Sequence, residues 1–462
     1  MSRWTKQFEN IFRAILPSPF SIAILLTIIT YFLALGQKPE DANWTDYNIN
    51  LFQGWSTEMW QSGKLAFAVQ MMLMLVLGHI LALSQPVESF LNHLVKLCDS
   101  NKKAAIYTTF FTILISLFNW GLGLIFGAIF ARKIGEHAQK NHIPINYPLI
   151  GACAYVGLMV WHGGISGSAP IKVAESGHLK SLVGNSLSST EAALLPDVIA
   201  YGSTVFSTFN LITCLILLIV IPSVAFLISK RNFQSYSFQF TQEHGNSSSE
   251  TPQFIDRSKI FLKLFGGIIL AGITYNIFLL EWSEILSFKF VTPNFINLTL
   301  LALCFVFHSN ALTFLHSCES AIGGVSGILI QFPLYFGIMG LMVSSGLIQN
   351  ISDWIITHAS ASTLPLFTYF SAALVNIFVP SGGGQWMVQG PILIKSSISL
   401  GVPLNKTVMA LSYGDQITNM LQPFWALPLL GITKLKAQDI LPYCLIFFLV
   451  GSSIFALTIL LF

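Results

Sequence analysis

The sequence predicts an all-α polytopic membrane protein made of two inverted-topology repeats, each with a re-entrant helical hairpin and a broken transmembrane helix. Three observations lead there. Charged residues make up 9% of the 462, against about 25% in a soluble domain, and mean hydropathy is +0.68. Several apolar runs reach the roughly 20 helical residues needed to cross a ~30 Å hydrocarbon core. Similar segments also recur in the same order, 257 to 261 positions apart.

The apolar runs lie at 18–35, 65–85, 104–131, 147–170, 198–228, 259–280, 295–317, 322–346, 365–395, 400–432 and 438–461. With so many spans to follow, the first reads as a retained helix, not a cleaved signal. Gly36 to Lys64 is polar and carries Trp44, Trp55 and Trp60, the composition of an interfacial segment. Lys230 to Lys259, with Gly245-Asn-Ser-Ser-Ser, reads as a flexible linker. The expected units are therefore 1–64, a first repeat over 65–229, a cytoplasmic linker over 230–258, two scaffold helices over 259–321 and a second repeat over 322–462.

The run 104–131 has Lys102 and Lys103 before it and Arg132 and Lys133 after it, so a single crossing would break the positive-inside rule. A re-entrant hairpin turning at Asn119 to Gly123 removes the conflict, with arms of roughly 14 residues and about 20 Å each. Treating 365–395 as a second hairpin leaves nine crossings. Fifteen basic residues then lie inside, Arg3, Lys6 and Arg13 among them, and seven outside, Lys289 among them; Lys263 falls within a span. That bias predicts a cytoplasmic N-terminus.

The repeat is read from three matches. Gln70 to Leu94 aligns with Gln331 to Ile355 at an offset of 261. Asn119 aligns with Asn376 at 257, and Ile143-Pro-Ile-Asn146 with Val402-Pro-Leu-Asn405 at 259. One copy runs inward and the other outward, as in alternating-access carriers. The run 295–317 finds only the amphipathic 48–63 region as its counterpart.

Chemistry is expected at the interruptions. Val379-Pro380-Ser381-Gly382-Gly383-Gly384-Gln385 should force a tight reversal that exposes backbone N–H and C=O groups, tolerated in a membrane only where protein or a cavity satisfies them. Asn376 stands before it, and Asn119, Trp120 and Gly121 form the matching tip. Gly163, Gly164 and Gly167 break 147–170, while Asn419, Gln422 and Pro423 break 400–432. Half-helix N-termini at such breaks suit a carboxylate, so the two tips with Gly163 and Gly164 are the expected substrate site. Asp415 is the one carboxylate deep within a span; together with Asn419, Gln422 and His162 it is the expected cation-coupling group, the capping of its own helix break being the plainer alternative. His79, His308 and His316 read as packed polar contacts.

Other classes fit less well. The basic residues are scattered, which gives no nucleic-acid surface. The six cysteines show no CxxC spacing, and no metal site or cofactor is expected beyond a coupling ion, H⁺ or Na⁺. Gly164-Ile-Ser166-Gly167 matches the short GxSG pattern of intramembrane serine proteases, a rival reading resting on four residues.

The chain resembles the bacterial short-chain fatty acid transporter family through residues 119–132, 147–164, 166–170, 327–342, 379–391 and 409–428, with VPSGGGQWMVQGP the most specific stretch. The resemblance implies an inner-membrane carrier that takes up acetoacetate, butyrate and similar monocarboxylates by cation symport, H⁺ expected. Superfamily analogy implies a homodimer. The family often has histidine at Gln385, glycine at His162 and glutamate at Asp415. The acid is kept in type, and the proton-carrying role could shift to His162. A Na⁺-coupled dicarboxylate or amino-acid carrier of the same superfamily is the alternative.

Overall fold

The structure, a computed structural model, describes residues 19–183, 187–231, 254–288, 290–378 and 381–462. Arg3, Lys6, Arg13, Lys289, Val379, Pro380 and most of the expected linker, 232–253, lie outside the described residues. Among the described residues the regular structure is helical throughout.

The first half opens with α1 (Pro19–Leu35), α2 (Trp44–Met59), α3 (Ser62–Ala82) and α4 (Gln85–Lys96). The hairpin arms α5 (Asn101–Phe118) and α6 (Trp120–Lys140) follow. A broken helix then runs through α7 (Tyr147–Tyr155), two 3-10 turns and α8 (Ser168–Val173), and α9 (Thr208–Ser229) closes the half. The second half starts with α10 (Phe261–Phe278), α11 (Pro293–Phe307) and α12 (Ala311–Ile322). It continues through α13 (Ser326–Ser344), α14 (Leu347–His358) and the hairpin arms α15 (Leu364–Phe378) and α16 (Gly382–Leu400). A second broken helix, α17 (Leu404–Thr418), a 3-10 turn and α18 (Pro423–Thr433), leads to α19 (Ala437–Leu461).

Local chemistry accounts for the boundaries. Asn119 is extended and caps α6 by accepting from the Leu122 N–H at 2.8 Å; Ser381 caps α16 in the same way from Gly384 at 3.2 Å. Gly401, at φ 68°, ends α16 in the left-handed region that glycine adopts without strain. Pro423 opens α18, where its missing N–H costs nothing.

Several expectations change. The hairpin arms run 18 and 21 residues, longer than the roughly 14 expected, because α6 continues past Arg132 to Lys140. Gly36 to Lys64 contains a full helix, α2, which buries Tyr47, Leu51 and Met59 and packs on α13. The run 295–317 is interrupted at His308, giving α11 and α12, since Asn310 caps a new helix there. The amphipathic helices α4 and α14, inside the aligned segments, are additions. The three glycines do not form the reversal: Gly382, Gly383 and Gly384 are the first turn of α16, none with positive φ.

Among the described residues five helices are long and apolar enough to cross a membrane: α3, the broken 147–173 segment, α9, α10 and α19. Burial sorts them, since the 147–173 window is 94% buried and that of α10 is 11% buried. The broken helix is therefore the centre of the molecule and α10 its rim.

The packing of one half finds its like in the other. Helix α11 packs on α3 as α2 packs on α13, and α4 packs on α6 as α14 packs on α16. The first hairpin arms α5 and α15 contact α9 and α19 in turn. Each second arm crosses over, α6 meeting α18 and α16 meeting α8. Each second arm also packs on the broken helix of its own half, α6 on α7 and α16 on α17, so each hairpin meets both interruptions.

Candidate functional site

The two broken helices are tied together between the interruption of the first and the last turn of α17 in the second. His162, in the 3-10 turn Trp161–Gly163, has its Nδ1 2.6 Å from Asp415 Oδ2, and neither side chain is exposed. Its Nε2 accepts from the Ala169 N–H at 2.9 Å, at the start of α8. A nitrogen that accepts carries no hydrogen, so in the neutral ring Nδ1 holds the proton and donates to Asp415. Asp415 Oδ1 is buried with no hydrogen-bond partner among the described residues. Asp415 thus has one hydrogen-bonded oxygen and one without a partner among those residues.

Gln416, the next residue, turns its Oε1 to the N–H groups of His162 and Gly163, at 2.8 and 3.0 Å. The Gly163 carbonyl accepts from Asn210 Nδ2 at 2.9 Å. Gly164 lies so close to Leu117 that an added Cβ would stand 2.4 Å from its carbonyl oxygen. The expectation that the first break offers its N–H groups to an anion is corrected here: His162 and Gln416 already occupy them.

The second break is braced from the other hairpin. Asn376, at the end of α15, sets its Nδ2 2.6 Å from the Asp415 carbonyl, 2.8 Å from Thr418 Oγ1 and 2.8 Å from Asn419 Oδ1. Gln422 Nε2 donates to the Asn376 carbonyl at 2.5 Å, and the Tyr155 hydroxyl lies 2.9 Å from the carbonyls of both Asn419 and Gln422. Asp415 sits inside α17 and caps nothing. Gln385 donates to the Ala372 carbonyl and to Gln389, within the hairpin.

A cavity of about 40 Å³, room for roughly three waters, lies between the tips. Trp120 from one tip and Ser381, Gly382 and Gly383 from the other line it, with Asn419 from the second break. Of the expected substrate residues, Trp120, Ser381, Gly382 and Gly383 reach the cavity, joined by Asn419, which was expected for cation coupling; Asn119, Gly121, Gly163, Gly164, Asn376, Gly384 and Gln385 are not part of its lining. Gly121 packs on Leu75 and Gly384 on Tyr335. The glycines at the tip serve close approach: a Cβ on Gly382 would meet His162 and Trp161 at 2.8 Å, and one on Gly383 would meet Phe67 at 2.8 Å.

The rest of the lining was not anticipated. Met71, Leu158 and Phe332 make it apolar, and Trp161, Trp425, Ser168 and Gln331 add to it. Trp161 stacks on His162 at 4.5 Å, and Trp120 meets both Trp161 and Trp425 at 5.5 Å. The indole N–H groups of Trp120 and Trp161 are buried and have no acceptor among the described residues. Within apolar runs, tryptophan passes as packing, so only its adjacency to His162 and Asn119 could have marked it.

Ser166 accepts from the Trp120 N–H at 3.0 Å, which holds the first tip against the break. Both ring nitrogens of His162 are engaged elsewhere. His162, the histidine of the same break, is therefore not available as a base for Ser166.

Two interrupted helices, two hairpin tips and one buried acid around a cavity between them define a helical membrane transporter. The chain belongs to the short chain fatty acid transporter family, whose model matches residues 1–462. It is 34% identical over 455 residues to a protein of Escherichia coli (strain K12) named "Putative short-chain fatty acid transporter", covering 97% of this chain and 96% of that one. A protein of the same name from Haemophilus influenzae (strain ATCC 51907 / DSM 11121 / KW20 / Rd) is 32% identical over 468 residues, covering 98% of each. The fold is similar to that of the Alcanivorax borkumensis YdaH transporter, with a TM-score of 0.52 and 16% identity over 96% of this chain and 98% of that one. It is also similar to Neisseria gonorrhoeae MtrF, with a TM-score of 0.56 and 13% identity over 98% and 97%.

Proposed function

We propose that the protein is a secondary carrier that imports short-chain monocarboxylates across the bacterial inner membrane by proton symport and alternating access. The observation that carries this is the cavity between the two tips. Its polar complement is weighted to donors. The N–H groups of Gly382 and Gly383 stand outside the intrahelical ladder, at the positive end of a 19-residue helix. The indole N–H groups of Trp120 and Trp161 lack acceptors among the described residues. Such a set suits one carboxylate without a cationic side chain, and the apolar wall of Met71, Leu158 and Phe332 suits a short acyl chain. A dicarboxylate would bring a second charge against that wall.

Coupling falls to the dyad. A proton on Asp415 Oδ1 neutralises the one buried carboxylate of the site, and Asn376, Asn419 and Gln422 transmit the change to the second tip through their bonds to α17. The matched packing of the two halves supports two repeats of opposite orientation, the architecture in which a central site opens to each side in turn.

Counterflow in proteoliposomes tests the substrate class. Vesicles loaded with unlabelled butyrate should take up labelled butyrate, in competition with C2–C6 monocarboxylates and not with succinate. Competition by succinate and not by butyrate would replace this reading with a dicarboxylate carrier.

A further inference from the structure

Among the described residues that line the cavity, Gln331 is the one polar side chain whose chemistry is unspent in both directions. It lies on α13, one turn beyond Gly327, and is 8% exposed. Among the described residues its amide makes no hydrogen bond to the protein, so neither its NH₂ nor its carbonyl is committed. The other polar side chains around it are engaged. Ser168 donates to Met71 Sδ at 3.5 Å, Ser381 accepts from Gly384, and Asn419 accepts from Asn376. Gln70, at the aligned position 261 residues earlier, has its Nε2 committed to Asn294 at 2.9 Å, with its Oε1 left unpartnered among the described residues.

The amide lines the cavity with no protein partner, so a ligand that fills the space can complete its hydrogen bonds. The donors at the tips already suit a carboxylate. Phe332 neighbours Gln331 in sequence and lies against Gly383, which puts the amide beside the apolar wall where the acyl chain would lie. An amide offers a donor and an acceptor together, the complement of a hydroxyl, and its NH₂ alone serves an oxo group.

We propose that Gln331 determines specificity along the acyl chain, favouring short acids that bear a hydroxyl or oxo group over alkyl acids of equal length. This rests on the reading of the cavity as the monocarboxylate site. A site built to hydrogen-bond a substrate group rejects the analogue lacking it, because the protein group is left unpaired.

The test is competition against labelled butyrate in counterflow, using 2-, 3- and 4-hydroxybutyrate and unlabelled butyrate. With the wild-type protein, the best hydroxy acid should inhibit roughly tenfold more strongly than butyrate, the worth of one hydrogen bond. Gln331→Leu and Gln331→Met should each remove that advantage. A wild-type protein that binds butyrate as well as every hydroxybutyrate overturns the proposal without recourse to any variant. Equal weakening of all acids by both substitutions also overturns it, since Gln331 would then act on the shared carboxylate. Absence of counterflow with every C4 acid would instead remove the monocarboxylate reading beneath it.

Discussion

His162 Nδ1 and Asp415 Oδ2, separated by 253 positions in the chain, lie 2.6 Å apart with both side chains fully buried. The contact joins the interruption of one broken helix to the interior of the other. Ala169 fixes the imidazole tautomer from behind, so in the proposed symport the coupling proton is assigned to Asp415 Oδ1.

Removing that acid should uncouple the carrier while leaving its cavity intact. Asp415→Asn should retain counterflow of labelled butyrate and lose accumulation driven by a pH gradient. His162→Ala takes away the donor to Asp415 and should reduce gradient-driven uptake by about tenfold or more, the scale of a hydrogen bond to a charged group. Proteoliposome assays of both variants, run with and without a gradient, check this.

Ser166 has a structural role. Ser166→Ala leaves the Trp120 N–H buried without an acceptor and should cost about 1–3 kcal/mol, read as a lower thermal midpoint in detergent. Transport should persist in the folded fraction. Complete loss of uptake at unchanged stability would contradict the assignment.

The glycines of the second tip are there for contact. Gly383→Ala would set a methyl 2.8 Å from Phe67 Cζ and 3.1 Å from Phe332 Cζ, so uptake should fall sharply, with overpacking of about 1–3 kcal/mol. Adding Phe67→Leu should restore part of it. If Gly383→Ala transports normally, the close approach has no functional weight.

A turn outside the membrane has its own pH dependence. The Ser176 hydroxyl, 2.6 Å from Asp197, and then the Gly177 N–H hold the Asp197 carboxyl below its usual range. A carboxyl depressed in the folded state contributes stability above its unfolded value, near ~3.9, and loses it as pH falls through the folded one. The difference in melting temperature between wild type and Asp197→Asn should therefore shrink on acidification from neutral pH to below about 4.

Much of this was legible in the sequence because glycine, proline and asparagine punctuate long apolar runs. Asn119 and Ser381 fall where helices must be capped, Asn419 and Gln422 where one is interrupted, and Asp415 stands out as the one acid of its span. Which group answers Asp415 was not legible, because nothing local to Tyr413-Gly414 points to a residue in the other half. His162 was singled out for its own break, and only packing shows the two to be one unit. The part played by Gly382 to Gly384 was misjudged because flexibility and small size leave the same mark in a sequence. Gln331 did leave a sign, an amide in an otherwise apolar helix opposite Gln70 in the repeat, yet only its lack of a partner separates it from an ordinary packed glutamine.

The most direct measurement is accumulation of labelled butyrate by purified protein in proteoliposomes, corrected for protein-free vesicles, with pH and sodium gradients imposed separately. Uptake above the equilibrium level under the pH gradient alone, abolished by Asp415→Asn, is the predicted result. Failure of every C2–C6 monocarboxylate to accumulate under either gradient would contradict the account.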